Sequence, residues 1–224
     1  MIELKDILVR AKQRVILDIP YLVFEKGKRY GIIGENGSGK TTLLRVMVGT
    51  AQPSQGTVEG LPPNQQTGYL PQSPYAFSFS VLRNVCMVFP NVPDRDELAL
   101  QALEKVGLGA LAQSRGDTLS GGERQRLGLA RVLALPRKVL LLDEPTSATD
   151  IRGTDIVEAL LQEWFQKTTC VLVFTTHAPA QALRMADEVI FLEDGRVVES
   201  GSPQEVFHNP RKPQTQAFLS HWVI

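Results

Sequence analysis

The sequence predicts an α/β fold with a mainly parallel central sheet, antiparallel strands at the periphery and a small helical insertion. Three observations predict it. Short apolar runs at 30–33, 139–142, 171–174 and 189–192 recur along the chain, each suited to a strand buried on both faces, as parallel sheets require. Between two of these runs, Ile156, Leu160 and Trp164 alongside Val157, Leu161 and Phe165 repeat every four residues, the stripe of an amphipathic helix that packs on such a sheet. Near the end, Asp194-Gly195 separates two apolar runs, and both turn positions tolerate positive φ, so a two-residue hairpin is expected there.

Size and composition bound the rest. With 224 residues, 43% of them hydrophobic, the chain can bury the core of one domain or of one domain with an inserted subdomain. Lysine plus arginine (24) equal aspartate plus glutamate (24), so no global basic footprint points to nucleic acid. Cys86 and Cys170 lie far apart without a neighbouring histidine pattern, which suggests neither a disulfide framework nor a zinc site and fits a reducing, cytosolic setting. The longest apolar runs fall far short of the about 20 residues a membrane-spanning helix needs, and the charged N-terminus lacks the apolar core of a secretory signal. Any membrane role is expected to come through a partner.

The segment at 73–118 differs from its surroundings. It carries Pro74, Pro90 and Pro93, a helical stretch predicted at 97–108, and no long buried-strand run. The whole chain, 1–224, is therefore expected to be a single domain with a helical subdomain at about 73–119 inserted in the α/β core. Neither an internal repeat nor a low-complexity tract is present in the sequence.

Three strings carry chemistry. The first is GENGSGKT: Gly34, Glu35, Asn36, Gly37, Ser38, Gly39, Lys40 and Thr41, followed by Thr42. It lies between the strand-like RYGII and a helical stretch, the context of a phosphate-binding loop. The glycines let backbone N–H groups turn toward phosphate oxygens, and the helix start adds its positive dipole end. Lys40 supplies a point charge, and the Thr41 hydroxyl is placed for Mg²⁺. The second string, VLLLDEP, brings two carboxylates to the carboxyl end of a buried strand, where ligands sit in α/β sheets. Asp143 is the expected Mg²⁺ partner, and Glu144 the residue that orients and deprotonates the attacking water. In the third string, LSGGERQR, the residues Ser120, Gly121, Gly122 and Glu123 open a helix whose exposed donors form a second anion site, with Leu127, Ala130 and Leu133 burying one side.

Taken in this order, the three strings resemble the signature of ABC ATPases, and the resemblance covers nearly the whole chain. It implies a phosphate-loop ATPase core that binds ATP and Mg²⁺ and hydrolyses ATP. In that family the third string contacts the γ-phosphate of ATP held by the opposite subunit, which implies a head-to-tail homodimer or a pair with a similar ATPase subunit. Gln72, in TGYLPQ, matches a glutamine that touches Mg²⁺ and water and links the active site to the helical subdomain. Asp150, in SATD, matches an aspartate that crosses the dimer interface, and His177, after VLVFTT, matches the switch histidine at the γ-phosphate. Two positions depart from the pattern. Where the family stacks an aromatic ring on adenine, this sequence has Ala11 among Arg10, Lys12 and Arg14, leaving Arg10, Arg14 or Tyr21 as substitutes. After His177, where the family often has an acidic residue, Ala178-Pro179 follows.

These features favour a transporter motor over two rivals. The motor would work with a separate transmembrane permease and, through it, a solute-binding protein, and would sit in the cytoplasm on the inner face of the cell membrane. The tail GSPQEVFHNPRKPQTQAFL resembles the ends of bacterial importer subunits, and Tyr75, Phe77 and Phe79 are either a groove for a helix of the membrane partner or ordinary core. A soluble ABC ATPase of DNA repair, translation or cluster assembly is disfavoured by the lack of a coiled-coil insertion, a second ATPase copy or a basic tract. A non-catalytic nucleotide sensor is disfavoured by the full set Lys40, Asp143, Glu144 and His177.

Overall fold

The computed structural model describes residues 1–222. Its first elements are β1 (Ile2–Ala11), β2 (Arg14–Phe24), β3 (Arg29–Ile33), α1 (Lys40–Met47), β4 (Gln55–Glu59) and β5 (Thr67–Leu70). Then come α2 (Val81–Cys86), α3 (Arg95–Lys105), α4 (Gly121–Leu133), β6 (Val139–Asp143) and α5 (Ile151–Gln166). The chain ends with β7 (Val171–Thr176), α6 (Pro179–Met185), β8 (Glu188–Glu193), β9 (Arg196–Gly201), α7 (Pro203–His208) and α8 (Pro213–Leu219). Two compact units result: Met1–Thr67 with Lys138–Glu144 and the described residues from Thr169 on, and Gly68–Arg137 with Pro145–Thr168.

In the first unit, β6, β7, β3 and β8 lie side by side in that order as parallel strands, and β9 adds to β8 antiparallel. Every residue of β6 and β7 is buried, which is why both read as continuous apolar runs. The register sets Asp143 beside Thr175, Thr175 beside Ile32, and Ile33 beside Thr176. The residues that follow these strands, Gly34, Glu144 and His177, therefore leave the sheet at one edge, the carboxyl ends of parallel strands. The Asp194-Gly195 turn forms as expected, with both residues at positive φ.

The antiparallel strands expected at the periphery include the sheet β2-β1-β4, whose strands the sequence did not locate. In β1 the buried Ile2 and Leu4 alternate with Glu3 and Lys5, a period of two that looks like a charged tail until a partner strand covers one face.

The second unit is built on α2, α3 and α4, whose buried residues Val81, Val85, Ala99, Leu103 and Leu127 share one core. Leu160 of α5 packs against it, Val157 and Leu161 are buried, and Ile156, expected on the same apolar stripe, is exposed. The helix predicted at 97–108 instead spans 95–105. It stops because Gly107 turns left-handed at φ 70, so that the amides of Leu108 and Gly107 reach back to the carbonyls of Leu103 and Glu104 at 2.8 and 3.0 Å.

A polar network fixes the irregular segment before α2. Asn84, fully buried, donates to the carbonyls of Phe77, Phe79 and Ser80 at 3.0, 3.3 and 3.0 Å and accepts from the Phe77 amide at 2.9 Å. Arg131 of α4 donates to the Asn84 side-chain oxygen, to the Asn84 carbonyl at 3.0 Å and to the Tyr75 carbonyl at 2.5 Å. Its guanidinium also lies 5.6 Å from the centre of the Phe77 ring. Among the described residues both cysteines are buried and neither is in a disulfide, and no helix is long and apolar enough to cross a membrane.

Candidate active site

In the first unit the loop between β3 and α1 is shaped by its glycines. At Gly34 (φ 150) an added Cβ would stand 2.1 Å from the Leu192 carbonyl oxygen, and at Gly39 (φ 107) it would stand 2.7 Å from Leu17. No side chain other than hydrogen fits either place. The loop is further braced by the hairpin turn, since the Gly195 amide donates to the Ser38 carbonyl at 3.0 Å. Glu35, Asn36 and Gly37 are exposed at its tip, while Ser38 and Lys40 are buried and Thr41 and Thr42 half-buried. The Lys40 ammonium donates to the carbonyls of Gly34 and Glu35 at 2.7 and 2.8 Å. Burial holds its pKa below the ordinary lysine value, opposed by the carboxylates of Glu144, Asp143 and Glu35. The Ser38 hydroxyl oxygen is buried with no hydrogen-bond partner among the described residues.

At the end of β6, Asp143 is 1% exposed. Its Oδ1 accepts from the Thr175 hydroxyl at 2.7 Å and from the Thr41 hydroxyl at 3.1 Å. Its Oδ2 is buried without a hydrogen-bond partner among the described residues. Glu144 follows in the left-handed region at φ 46, unusual for a residue with a side chain. Its amide donates to the Thr175 hydroxyl oxygen at 2.9 Å, and its Oε2 lies 3.3 Å from Nδ1 of His177. Where an acidic residue was missing after His177, Thr176 supplies the local bonding: its hydroxyl oxygen accepts from the Ala178 amide at 3.0 Å, and Pro179 starts α6. Gly34, Lys40, Thr41, Asp143, Glu144 and His177 are thus brought to one edge of the sheet.

The remaining sequence-predicted residues lie in the second unit. Gln72 and Gly121 line a cavity of about 440 Å³ together with Tyr75, Asp117, Arg124 and Gln125. Ser120 caps α4: its hydroxyl oxygen accepts from the Glu123 amide at 3.3 Å, and the Glu123 carboxylate accepts from the Ser120 amide at 2.8 Å. That amide holds the Glu123 carboxyl below the usual carboxylate range. Gly122 passes so close to the Ala148 carbonyl oxygen that a Cβ would stand 2.9 Å away. Asp150 caps α5, its carboxylate accepting from the Gly153 amide at 2.7 Å.

Ala11 is exposed at the end of the β1–β2 hairpin, paired with Arg14, with Lys12 at φ 56 in the turn. Tyr21, considered as a substitute stack, pairs with Lys5 five residues beyond Ile16. Ile16 is the residue of β2 that, with Leu17, meets Gly39, so Tyr21 lies about 16 Å farther along the strand at its ordinary rise. Thr175 was missed altogether. The signal was there: two hydroxyls end a strand that is otherwise apolar and wholly buried.

The sequence profile of the family described as ABC transporter matches residues 17–147. The Probable amino-acid import ATP-binding protein YxeO of Bacillus subtilis is 35% identical over 98% of this chain and 96% of its own length. The molybdate import ATP-binding protein MolC of Haemophilus influenzae is 36% identical over 88% of this chain and 85% of its own length. Among solved structures, a dimeric post-hydrolysis state of the ATP-binding cassette MJ0796 bound to ADP and Pi has a TM-score of 0.82 at 25% identity, covering 91% of this chain and 99% of that one. With this sequence kinship and this fold, the chain belongs to the ABC transporter family and is one of its ATP-binding, ATP-hydrolysing subunits.

Proposed function

We propose that this chain is the motor of a bacterial importer, acting as a head-to-tail pair in which ATP lies between Gly34 to Thr42 of one copy and Ser120, Gly121, Gly122 and Glu123 of the other. The observation that carries this reading is the carboxylate of Asp143, one oxygen held by two hydroxyls and the other buried and unpartnered among the described residues, beside Thr41 and ahead of the Glu144–His177 pair. That arrangement suits a hard divalent cation, because hydroxyl and carboxylate oxygens are the donors Mg²⁺ takes. In this reading Thr41 and Asp143 would hold Mg²⁺. Bound there, Mg²⁺ offsets the charge of the phosphates.

The chain's own residues do the rest. The amides of Gly37, Ser38 and Gly39 and the Lys40 ammonium hold the phosphates, with Lys40 exchanging its two carbonyl partners for phosphate oxygens. Glu144 accepts the proton of the attacking water, and His177 and the partner copy's signature residues orient the γ-phosphate. Asp150 lies at the interface of the pair. Because the site is shared, ATP draws the copies together and its cleavage lets them part.

The helical subdomain at about 73–119 passes this motion to a transmembrane permease, placing the chain on the cytoplasmic face of the membrane. Tyr75 is 71% exposed and Phe79 is 40% exposed, while Phe77, between them, stacks on Phe79 and meets Tyr75 edge-on. Exposed rings on a fixed backbone suit a helix of the membrane partner. Co-expression with any multi-span membrane protein found encoded beside this chain tests the reading: the two should co-purify, and ATP hydrolysis should rise on association. Tyr75→Ser should weaken co-purification and leave nucleotide binding intact; loss of ATP affinity instead would make Tyr75 part of the nucleotide site and end the docking role.

A further inference from the structure

A hydroxyl in a fully buried strand is costly unless both its proton and its lone pairs find partners. Thr175 is fully buried in β7, between β6 and β3. It has one proton to give. The proton goes to Asp143 Oδ1 at 2.7 Å, because an ionised carboxylate only accepts, and the lone pair left over receives the Glu144 amide at 2.9 Å. The Thr41 hydroxyl reaches the same Oδ1 at 3.1 Å. Oδ1 is thereby saturated and Oδ2 is left over, buried and without a hydrogen-bond partner among the described residues. Rotating the carboxylate would break two hydrogen bonds at once. On its other side Thr175 holds the amide of a residue strained at φ 46, and that backbone aims the Glu144 carboxylate at His177, 3.3 Å away.

We propose that Thr175 is a positioning residue for hydrolysis, one hydroxyl that both pins Asp143 through Oδ1, leaving Oδ2 for the metal, and holds the strained backbone of Glu144. The proposal rests on the reading of Asp143 as a Mg²⁺ ligand and Glu144 as the base. Valine has nearly the same shape as threonine and can make neither bond. Serine can make both.

The test uses the full chain with Mn²⁺ as the probe, followed by its electron paramagnetic resonance in the presence of ADP, beside steady-state ATPase kinetics and nucleotide affinity in excess EDTA. For Thr175→Val the Mn²⁺ half-saturation should rise about tenfold, the scale of one hydrogen bond to a charged group. kcat should fall at least as far, while the metal-free nucleotide affinity stays within about twofold, a split that a general loss of structure would not give. Thr175→Ser should restore metal binding and kcat to within about threefold. Asp143→Asn separates the two ideas. If it abolishes Mn²⁺ binding while Thr175→Val matches the wild type in metal binding and kcat, the metal reading stands and the role of Thr175 is overturned. If Asp143→Asn leaves Mn²⁺ binding unchanged, the metal reading itself fails and the proposal with it. Should the valine variant not accumulate as folded protein, Thr175→Ala is read in the same assays against the serine variant.

Discussion

Glu144→Gln is expected to lower ATP turnover about 10²–10⁴-fold, the usual cost of losing a general base, while ATP still binds and holds two copies together. The geometry separates the two effects. The amide of residue 144 keeps its bond to Thr175, and the strained backbone keeps aiming the side chain at His177, so a glutamine occupies the same place. It can orient a water and cannot take its proton. The phosphate loop, Lys40 and Thr41 are untouched, so nucleotide affinity remains. Steady-state hydrolysis and size-exclusion chromatography with and without ATP check both halves. A variant that still hydrolyses ATP at the wild-type rate and stays monomeric in ATP would remove Glu144 from the role of base.

Asn84→Ala is expected to be the costliest single substitution for stability in the second unit. It strips partners from the amide of Phe77, from the carbonyls of Phe77, Phe79 and Ser80 and from one arm of Arg131. Each buried group left unpaired costs about 1–3 kcal/mol, and entry of water at the exposed side offsets part of the sum. A loss of about 2–4 kcal/mol is expected, a fall in Tm of about 4–16 °C for a chain of this length. Thermal unfolding followed by circular dichroism measures it. A change under about 2 °C would show that these bonds are replaced at no cost by water.

The parts of this protein that were legible in the sequence are those where local chemistry and local structure coincide. GENGSGKT names its own conformation, because Gly34 and Gly39 sit where any Cβ would collide with Leu192 or Leu17. β6 and β7 announced themselves because they are buried on both faces. What was hidden depends on a partner distant in sequence. The alternation in β1 becomes a strand only when β2 and β4 pair with it. Thr175 gains its role only when parallel register sets it beside Asp143, and Asn84 only when α4 brings Arg131 to it. The end of α3 was misjudged for a different reason: the apolar pattern runs on to Leu108, but Gly107 lets the chain reverse and Leu108 packs back from outside the helix.

The central claim is that each catalytic site is shared, with the phosphate loop from one copy and the signature residues from the other. Mixing two disabled chains tests it most directly. Lys40→Met removes the buried ammonium from the phosphate loop. Gly121→Asp puts a carboxylate at the start of α4, a position with room for a side chain, where it stabilises the helix and repels phosphate. Each variant alone should be inactive. Mixed in equal amounts they should recover about a quarter of the wild-type rate, since random pairing makes half the dimers mixed and each mixed dimer has one intact site of two. A mixture as inactive as its components, or a Gly121→Asp chain as active as wild type by itself, would contradict the account.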